Sequence, residues 1–244
     1  MAALSPRAIP VARRASALYC ATYGSGTPVL LIHGLGDSGA VFQPLLSAFS
    51  ARHYTIVPDL RGHGFSRRLG NAGSVDRFVS DIENLLDLLD IPPCFVVGHG
   101  VGGAVAQQLA HQQPERVRGL VLVSAYARSA GTLREQIEGR FRLPALRLGH
   151  AADNARPTQS VSNARTALPF DSRSWLPAVT CPALVVTGAA DVVAPPHCAR
   201  ELAHSLPNAQ LHIVPGASYS IISTHSMDLR HLILPWLADH EVAG

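Results

Sequence analysis

Short apolar runs alternate with longer amphipathic segments from residue 28 onward, and this alternation constrains the fold more than any other feature. It is typical of parallel strands joined by crossover helices. Six runs are interpreted as buried strands, at residues 28–33, 54–59, 94–98, 119–125, 183–188 and 210–215. The sequence therefore predicts an α/β fold with a doubly wound, mostly parallel sheet.

The segment between the second and third runs carries the clearest helix pattern. Ser74 can cap its N-terminus, and apolar residues recur at three- and four-residue spacing across residues 75–89. Pro92-Pro93 then ends it. Near the start of the chain, residues 16–23 followed by a Gly-Ser-Gly turn at residues 24–26 predict an edge strand that leads into the first buried strand.

Composition is typical of a single globular domain. The 244 residues can bury one good-sized core, and 47% hydrophobic against 15% charged residues argue against disorder. No apolar run approaches the ~20 residues that a membrane-spanning helix needs, so we expect no membrane association. A formal charge of +3, dispersed along the chain, argues against nucleic acid as a partner.

The reactive residue types exclude several kinds of chemistry. Cys20, Cys94, Cys181 and Cys198 are scattered without metal-ligand spacing, which predicts thiols in a reducing, cytoplasmic compartment and no metal site. All 20 basic residues are arginine, so Schiff-base chemistry through lysine, and with it pyridoxal phosphate, is excluded. No glycine-rich nucleotide loop is present, and no cofactor is expected.

Residues 126–182 lose the alternation and collect Arg, Pro, Ser and Gly. We interpret them as a short, partly helical lid or cap inserted into a core of residues 1–125 and 183–244, with residues 132–141 as its best helix. Eight arginines against four acids give this insert a formal balance of +4. Solvated surface explains the charge most simply, and a carboxylate-bearing small molecule drawn under the lid is a second interpretation.

Four motifs follow the predicted strands in a fixed order. They are His33-Gly34-Leu35-Gly36, Asp59-Leu60-Arg61-Gly62-His63-Gly64-Phe65-Ser66, Gly98-His99-Gly100-Val101-Gly102-Gly103, and Gly188-Ala189-Ala190-Asp191 followed by Pro195. As an ordered set they resemble the α/β-hydrolase superfamily, particularly its small lid-bearing esterase, lactonase and C–C hydrolase branch. The resemblance covers about residues 29–237 apart from the insert, and it implies the α/β-hydrolase fold.

The resemblance also implies a catalytic site in which two of three triad members are missing. Residues 98–103 correspond to the nucleophile elbow, but Gly100 stands where the GxSxG pattern has serine. Asp191 matches the acid, whereas Tyr219 stands where the histidine is expected. Loss of triad members typically lowers turnover by about 10⁴- to 10⁶-fold, so hydrolysis through an acyl-enzyme is not expected.

The main-chain part of the site is expected to persist. In the family, the oxyanion donors map to the backbone N–H groups of Leu35 and Val101, and backbone donors survive replacement of a side chain. We place His33, Gly34 and His99 along the pocket. The His99 side chain is expected to turn away from the elbow tip, which favours a structural role over a catalytic one.

No neighbouring residue restores a triad convincingly. Ser218 and Ser220, on either side of Tyr219, are typical of turn-stabilising hydroxyls. His225 is six residues further on, where the last helix is expected to begin. For residues 59–62, a loop-bracing pair of Arg and Asp is the preferred interpretation.

Three functions remain open. The first is a cofactor-independent, non-covalent enzyme of lyase, isomerase, cyclase or hydratase type that acts on a small carbonyl compound. Tyr219 would be its acid or base, with Asp191 bonded to the hydroxyl or holding a water. The second is a catalytically silent pseudo-hydrolase that binds a ligand or supports a partner, and the third is an ester or lactone hydrolase with an unusual or deliberately altered triad. Retention of Asp191 favours the first, although a capping aspartate before residues 194–196 would also explain it.

Overall fold

The computed structural model describes residues 18–129 and 168–241, and the backbone of Arg7–Ile9. The strands in these ranges are β1 Arg7–Ile9, β2 Cys20–Tyr23, β3 Thr27–Ile32, β4 His53–Pro58, β5 Cys94–His99, β6 Val117–Val123, β7 Ala183–Gly188 and β8 Ala209–Val214. The α-helices are α1 Gln43–Phe49, α2 Val75–Leu88, α3 Val101–Gln112, α4 Pro196–Ser205, α5 Ile221–Thr224 and α6 Ser226–Glu241.

The strands form one sheet in the order β1-β2-β4-β3-β5-β6-β7-β8. Pairing is parallel from β4 to β8, whereas β1 and β2 run antiparallel at one side. All six predicted strands are present, with ends within two residues of those observed, and five of them are buried. The last, β8, lies at the edge of the sheet and is only partly buried. The α/β-hydrolase fold with a mostly parallel sheet is thereby confirmed.

Two predictions at the first antiparallel strand have different outcomes. Residues 20–23 do form a strand, and it is followed by the turn at residues 24–26. The prediction that this strand lies at the edge is wrong, because β1 pairs with its outer side. Three residues are too few to show an alternating pattern, so β1 had no signal in the sequence.

The sheet separates two apolar layers. Val96 and its same-face neighbours pack against α2 and α3, while Val97 and its neighbours pack against α1 and α6. Successive side chains of a strand point to opposite faces, so burial on both sides explains why the strands are apolar at nearly every position. None of the helices in the described ranges is both long and apolar enough to cross a lipid bilayer.

Helix α2 begins as its sequence predicts. The Ser74 hydroxyl accepts a hydrogen bond from the Arg77 N–H at 3.3 Å, which satisfies one of the free donors of the first turn. Helix α3 follows β5 directly and packs very close to the sheet. A Cβ on Gly102 would overlap the carbonyl oxygen of Ile32, so only glycine permits this approach.

The two ends of the predicted lid meet at the sheet. The Ser129 N–H bonds to the Phe170 carbonyl at 2.9 Å, and the Ser172 N–H bonds to the Ala127 carbonyl at 2.8 Å. These bonds fix where the insert leaves and re-enters the core. The predicted helix at residues 132–141 and six of the eight insert arginines lie outside the described residues, and the lid and domain boundaries remain predictions.

Candidate active site

The connection from β5 to α3 makes a sharp turn at Gly100, where a nucleophile elbow is expected. Gly100 lies at φ 55° and ψ −117°, a conformation that strains any residue with a side chain. Its N–H bonds to the Val123 carbonyl at 3.1 Å, and its own carbonyl accepts from the Gly103 N–H at 3.0 Å. The elbow is therefore formed and held by main-chain bonds, although no side chain projects from its tip.

The hydroxyl of Tyr219 lies at that tip. A Cβ built on Gly100 would overlap the hydroxyl oxygen and would lie 3.1 Å from the ring carbon Cζ that carries it. A Cβ on Gly34 would lie 2.8 Å from the same oxygen. The phenol thus reaches between the loop after β3 and the start of α3, into space that a side chain at position 100 would use.

Leu35 and Val101, the two residues expected to supply oxyanion donors, follow Gly34 and Gly100 respectively. Within the described ranges, neither residue donates its backbone N–H to an acceptor. Val101 is the first residue of α3, where backbone N–H groups have no intrahelical partner. A ligand oxygen that reaches these donors must lie against the phenol or displace it.

The environment of Tyr219 keeps its proton in place. Burial raises the pKa of this phenol well above its ordinary value of 10.0, and Tyr126, Asp37 and Asp191 raise it further. The residue as a whole is half-buried. At neutral pH the hydroxyl is a hydrogen-bond donor and potential acid, and its phenolate is too rare to serve as a base.

Asp191 follows β7 and is buried. Its Oδ1 accepts hydrogen bonds from the N–H groups of Val193 and Ala194, at 2.9 and 2.8 Å. Its Oδ2 has no hydrogen-bond partner among the residues that the structure describes. The expected bond from Asp191 to the Tyr219 hydroxyl is accordingly not formed, and the carboxylate braces its own loop while one oxygen stays unused.

Burial is the main reason why the pKa of Asp191 is raised, and nearby donors only partly offset it. The N–H groups of Ala194 and Val193 and the Ser124 hydroxyl lower it. Ser124 lies at the end of β6 with φ 47°, and its buried oxygen is close to the carboxylate without a well-aligned hydrogen bond. The capping explanation does not apply directly, because the N-cap of α4 is Pro195.

His99 packs against Tyr219 rather than turning away from the elbow tip. The ring centroids are 4.5 Å apart, and Nε2 lies 3.1 Å from the Tyr219 main-chain oxygen. A carbonyl can only accept, so Nε2 carries the proton and Nδ1 carries a lone pair. Nδ1 is buried without a hydrogen-bond partner and is 4.0 Å from Asp37 Oδ2. Burial lowers the pKa of His99 to about 4, so the imidazole is neutral.

His33 has both ring nitrogens engaged away from the site. Its Nε2 accepts from the Leu60 N–H at 2.9 Å, so its Nδ1 carries the proton and donates to the Gly34 carbonyl at 2.7 Å. Burial lowers the pKa of His33 to about 3. This histidine connects the loop after β3 to the loop after β4 and has no free atom for catalysis.

The motif after β4 braces its loop, with partners that differ from those expected. Asp59 accepts from the N–H groups of Gly39 and Phe65, each at 2.7 Å. Arg61 instead pairs with Asp81 on α2 through two bonds of 2.7 Å and donates a third bond to the Leu69 carbonyl. Both side chains of the ion pair are buried, so the motif is structural.

Sequence analysis did not identify Asp37, Ser124 and Tyr126 as neighbours of the site. Asp37 follows the loop after β3, and Ser124 and Tyr126 follow β6. The segments after β3 and β6 both lie at the carboxyl ends of parallel strands, where ligand sites of open α/β sheets are found. That placement was the only available signal.

Residues 27–173 match the family model described as alpha/beta hydrolase fold. The chain belongs to the α/β-hydrolase family. It is 32% identical over 251 residues to RutD of Variovorax paradoxus (strain S110), a provisionally named carbamate hydrolase, covering 90% of this chain and 94% of that protein. It is 30% identical over 251 residues to the magnesium-chelatase 30 kDa subunit of Rhodobacter capsulatus, covering 87% of each.

A solved structure gives the same picture of the fold. The enol-lactonase from Burkholderia xenovorans LB400 matches 91% of this chain and 96% of its own length, with a TM-score of 0.72 and 20% sequence identity. At this identity the likeness concerns the fold alone.

Proposed function

We propose that this α/β-hydrolase-family protein is a cofactor-independent enzyme that acts on a small carbonyl compound without an acyl-enzyme, using the Tyr219 hydroxyl as its proton donor. The observation that carries the proposal is the position of that hydroxyl. It overlaps the space of a Cβ on Gly100 and lies beside Gly34. The family's nucleophile is thus replaced by a group that donates a proton and does not attack.

The chemistry of a buried phenol supports this role. Because its pKa is raised, Tyr219 remains protonated and can donate to a carbonyl oxygen as negative charge develops there. The backbone N–H groups of Leu35 and Val101 are further donors at the same edge of the sheet. Lyase, isomerase, cyclase and hydratase reactions that pass through an enolate or alkoxide use this kind of stabilisation, because negative charge then develops on oxygen.

Acceptor atoms are available for the opposite half of a proton transfer. Asp191 Oδ2 and His99 Nδ1 are both buried and lack hydrogen-bond donors in the described part of the chain. A water or an acidic C–H of the substrate next to Asp191 Oδ2 can lose its proton to it. Burial lowers the pKa of His99 to about 4, so Nδ1 serves as a hydrogen-bond acceptor and not as the base. Tyr219 would then be the acid, and Asp191 the base.

A second function is favoured by one specific observation. The phenol already fills the elbow tip, as a stable plug would in a protein that binds without turnover. The similarity to a protein named as a subunit of magnesium chelatase supports a partner-supporting role of this kind. A ligand recovered unchanged after long incubation, and raising the melting temperature, would favour this function.

The decisive test compares Tyr219→Phe with Tyr54→Phe, a matched removal of a hydroxyl from β4. Both proteins are assayed with small ketones, lactones and unsaturated carbonyl compounds, with product followed by mass spectrometry. Loss of a positioned acid typically costs about 10²- to 10⁴-fold in rate, so we expect at least about a tenfold loss in Tyr219→Phe alone. An unchanged rate in Tyr219→Phe rejects its catalytic role.

A further inference from the structure

The polar atoms around Tyr219 are not balanced between donors and acceptors. Asp191 Oδ2, His99 Nδ1 and Ser124 Oγ are buried and have no hydrogen-bond partner within the described ranges. Nδ1 can only accept, since the proton lies on Nε2, and an ionised Oδ2 can only accept as well. The Ser124 hydroxyl is a potential donor near Asp191 but is not aligned for a hydrogen bond. Buried polar groups are nearly always paired in folded proteins, so Oδ2 and Nδ1, which lack well-aligned donors within the described ranges, call for them.

The charged groups that act on Tyr219 also favour a positively charged ligand. Asp37 and Asp191 both raise the pKa of Tyr219, which means that they create a negative potential at the phenol. Arg173, an insert arginine within the described ranges, is half exposed and pairs with Asp171 at its surface. A negative potential favours a cation and opposes a second anion at the site.

The position of Asp191 relative to Tyr219 is fixed by the main chain. The Ala190 N–H bonds to the Ala217 carbonyl at 2.8 Å, and the Ala189 N–H bonds to the Val214 carbonyl at 2.9 Å. These bonds join the loop that carries Asp191 to the turn that carries Tyr219. The unpaired carboxylate oxygen is therefore a built feature of the site and not a free surface group.

We propose that the site takes a small ligand with a protonated nitrogen of amidine or amine type, which donates N–H hydrogen bonds to Asp191 Oδ2. This inference rests on the proposed function and adds a protonated nitrogen to the small carbonyl compound that is its substrate. A carboxylate-bearing ligand, which the charge of the insert suggested, would bring an anion against Asp191 without a donor for its oxygen.

Three probes of nearly equal size and shape test the charge preference. Acetamidinium, acetamide and acetate are titrated separately into the full-length protein at neutral pH, and binding is followed by calorimetry and by the NMR signals of the histidine rings. We expect acetamidinium to bind at least tenfold more tightly than acetate, with acetamide between them. Equal or tighter binding of acetate, or no binding of acetamidinium, overturns the proposal.

A matched pair of variants locates the effect. Asp191→Asn keeps an Oδ1 acceptor for Val193 and Ala194 but removes the charge, so acetamidinium should lose at least tenfold in affinity. Asp87→Asn, at the exposed Arg116 pair, should lose nothing. Retained affinity in Asp191→Asn overturns the assignment of the acceptor. These experiments measure binding, so their failure is distinct from failure of the Tyr219→Phe rate test, which measures turnover.

Discussion

The Tyr219 hydroxyl occupies space that a side chain on Gly100 would need. Gly100 and Tyr219 are therefore one structural unit. A serine at position 100 requires the phenol to move, and the phenol can reach the elbow tip because position 100 has no Cβ.

This relationship predicts energetic coupling. We expect Gly100→Ala to lower the free energy of unfolding by about 1–3 kcal/mol, through strain at φ 55° and overlap with the hydroxyl. In a Tyr219→Phe background the loss should be smaller by about 0.5 kcal/mol or more, because the overlapping oxygen is gone. Urea unfolding of the two single variants and the double variant measures the difference.

Gly73→Ala is the control for backbone strain alone. Gly73 has φ 76°, and no atom lies within 4 Å of a Cβ placed there. The unfolding free energy lost in Gly73→Ala should be the same with tyrosine or phenylalanine at position 219. Additive effects of Gly100→Ala and Tyr219→Phe would contradict the overlap.

Restoring the triad should require both residues. In Gly100→Ser with Tyr219→His, the hydroxyl overlap is removed and Asp191 Oδ2 is available to accept from the new imidazole. We expect hydrolysis of nitrophenyl acetate by the double variant at least about tenfold above either single variant, since a nucleophile without a base is nearly inert. A double variant no better than Gly100→Ser alone would mean that the site has diverged beyond the triad.

Buried neutral histidines should make the fold sensitive to acid. Burial lowers the pKa of His33 to about 3 and of His99 to about 4, whereas unfolded histidine titrates near 6.5. Below pH 6.5 the unfolded chain therefore binds more protons than the folded chain. The free energy of unfolding is unaffected by these histidines above that pH and decreases as the pH falls below it. The unfolding free energy then changes by roughly 1.4 kcal/mol per pH unit for each histidine. The raised pKa values of Asp59 and Asp191 have the opposite effect, but only in the pH range where those carboxyls titrate.

Urea unfolding between pH 7.5 and 5 measures this slope. His33→Asn should be less stable at neutral pH and show a flatter decline with acid. His204→Asn, on an exposed part of α4, should keep the wild-type slope. An equal slope in wild type and His33→Asn would refute the assignment.

The ion pair between Arg61 and Asp81 should matter far more than an exposed pair. Both side chains are buried, and Arg61 also holds the Leu69 carbonyl. We expect Asp81→Ala to cost about 3–5 kcal/mol of unfolding free energy, because it leaves a buried guanidinium unpaired. Asp87→Ala, which breaks the exposed pair with Arg116, should cost about 1 kcal/mol or less. Similar losses in the two variants would show that burial of the first pair is incomplete.

The strands and α2 could be predicted because their signals are local. Burial on both faces makes the strands apolar along their length, and Ser74 marks where α2 begins. The partner of Arg61 could not be predicted in this way. Both oxygens of Asp59 are used by backbone N–H groups, so the arginine pairs with Asp81 on α2 instead.

The candidate site residues are predicted from their place in the family's motifs, and that assignment remains a prediction. Their contacts could not be predicted from the sequence. Neighbouring side chains on a turn usually diverge, which suggested that His99 would turn away. Its Nε2 instead meets the Tyr219 carbonyl, a contact between distant parts of the chain. The direction of the phenol toward Gly100 likewise depends on how two strands pack, and single positions in the sequence do not encode it.

Non-covalent chemistry at this site requires that no side chain at the elbow attacks the substrate. Incubation of the wild-type protein with a fluorophosphonate or an activated ester, followed by intact mass measurement and peptide mapping, tests this directly. We expect no covalent adduct on any residue of the wild-type site, and labelling at position 100 only in the double variant Gly100→Ser with Tyr219→His. A stoichiometric adduct on wild-type Ser124, Ser218, Ser220 or Cys198 would contradict the account and identify the protein as a covalent hydrolase.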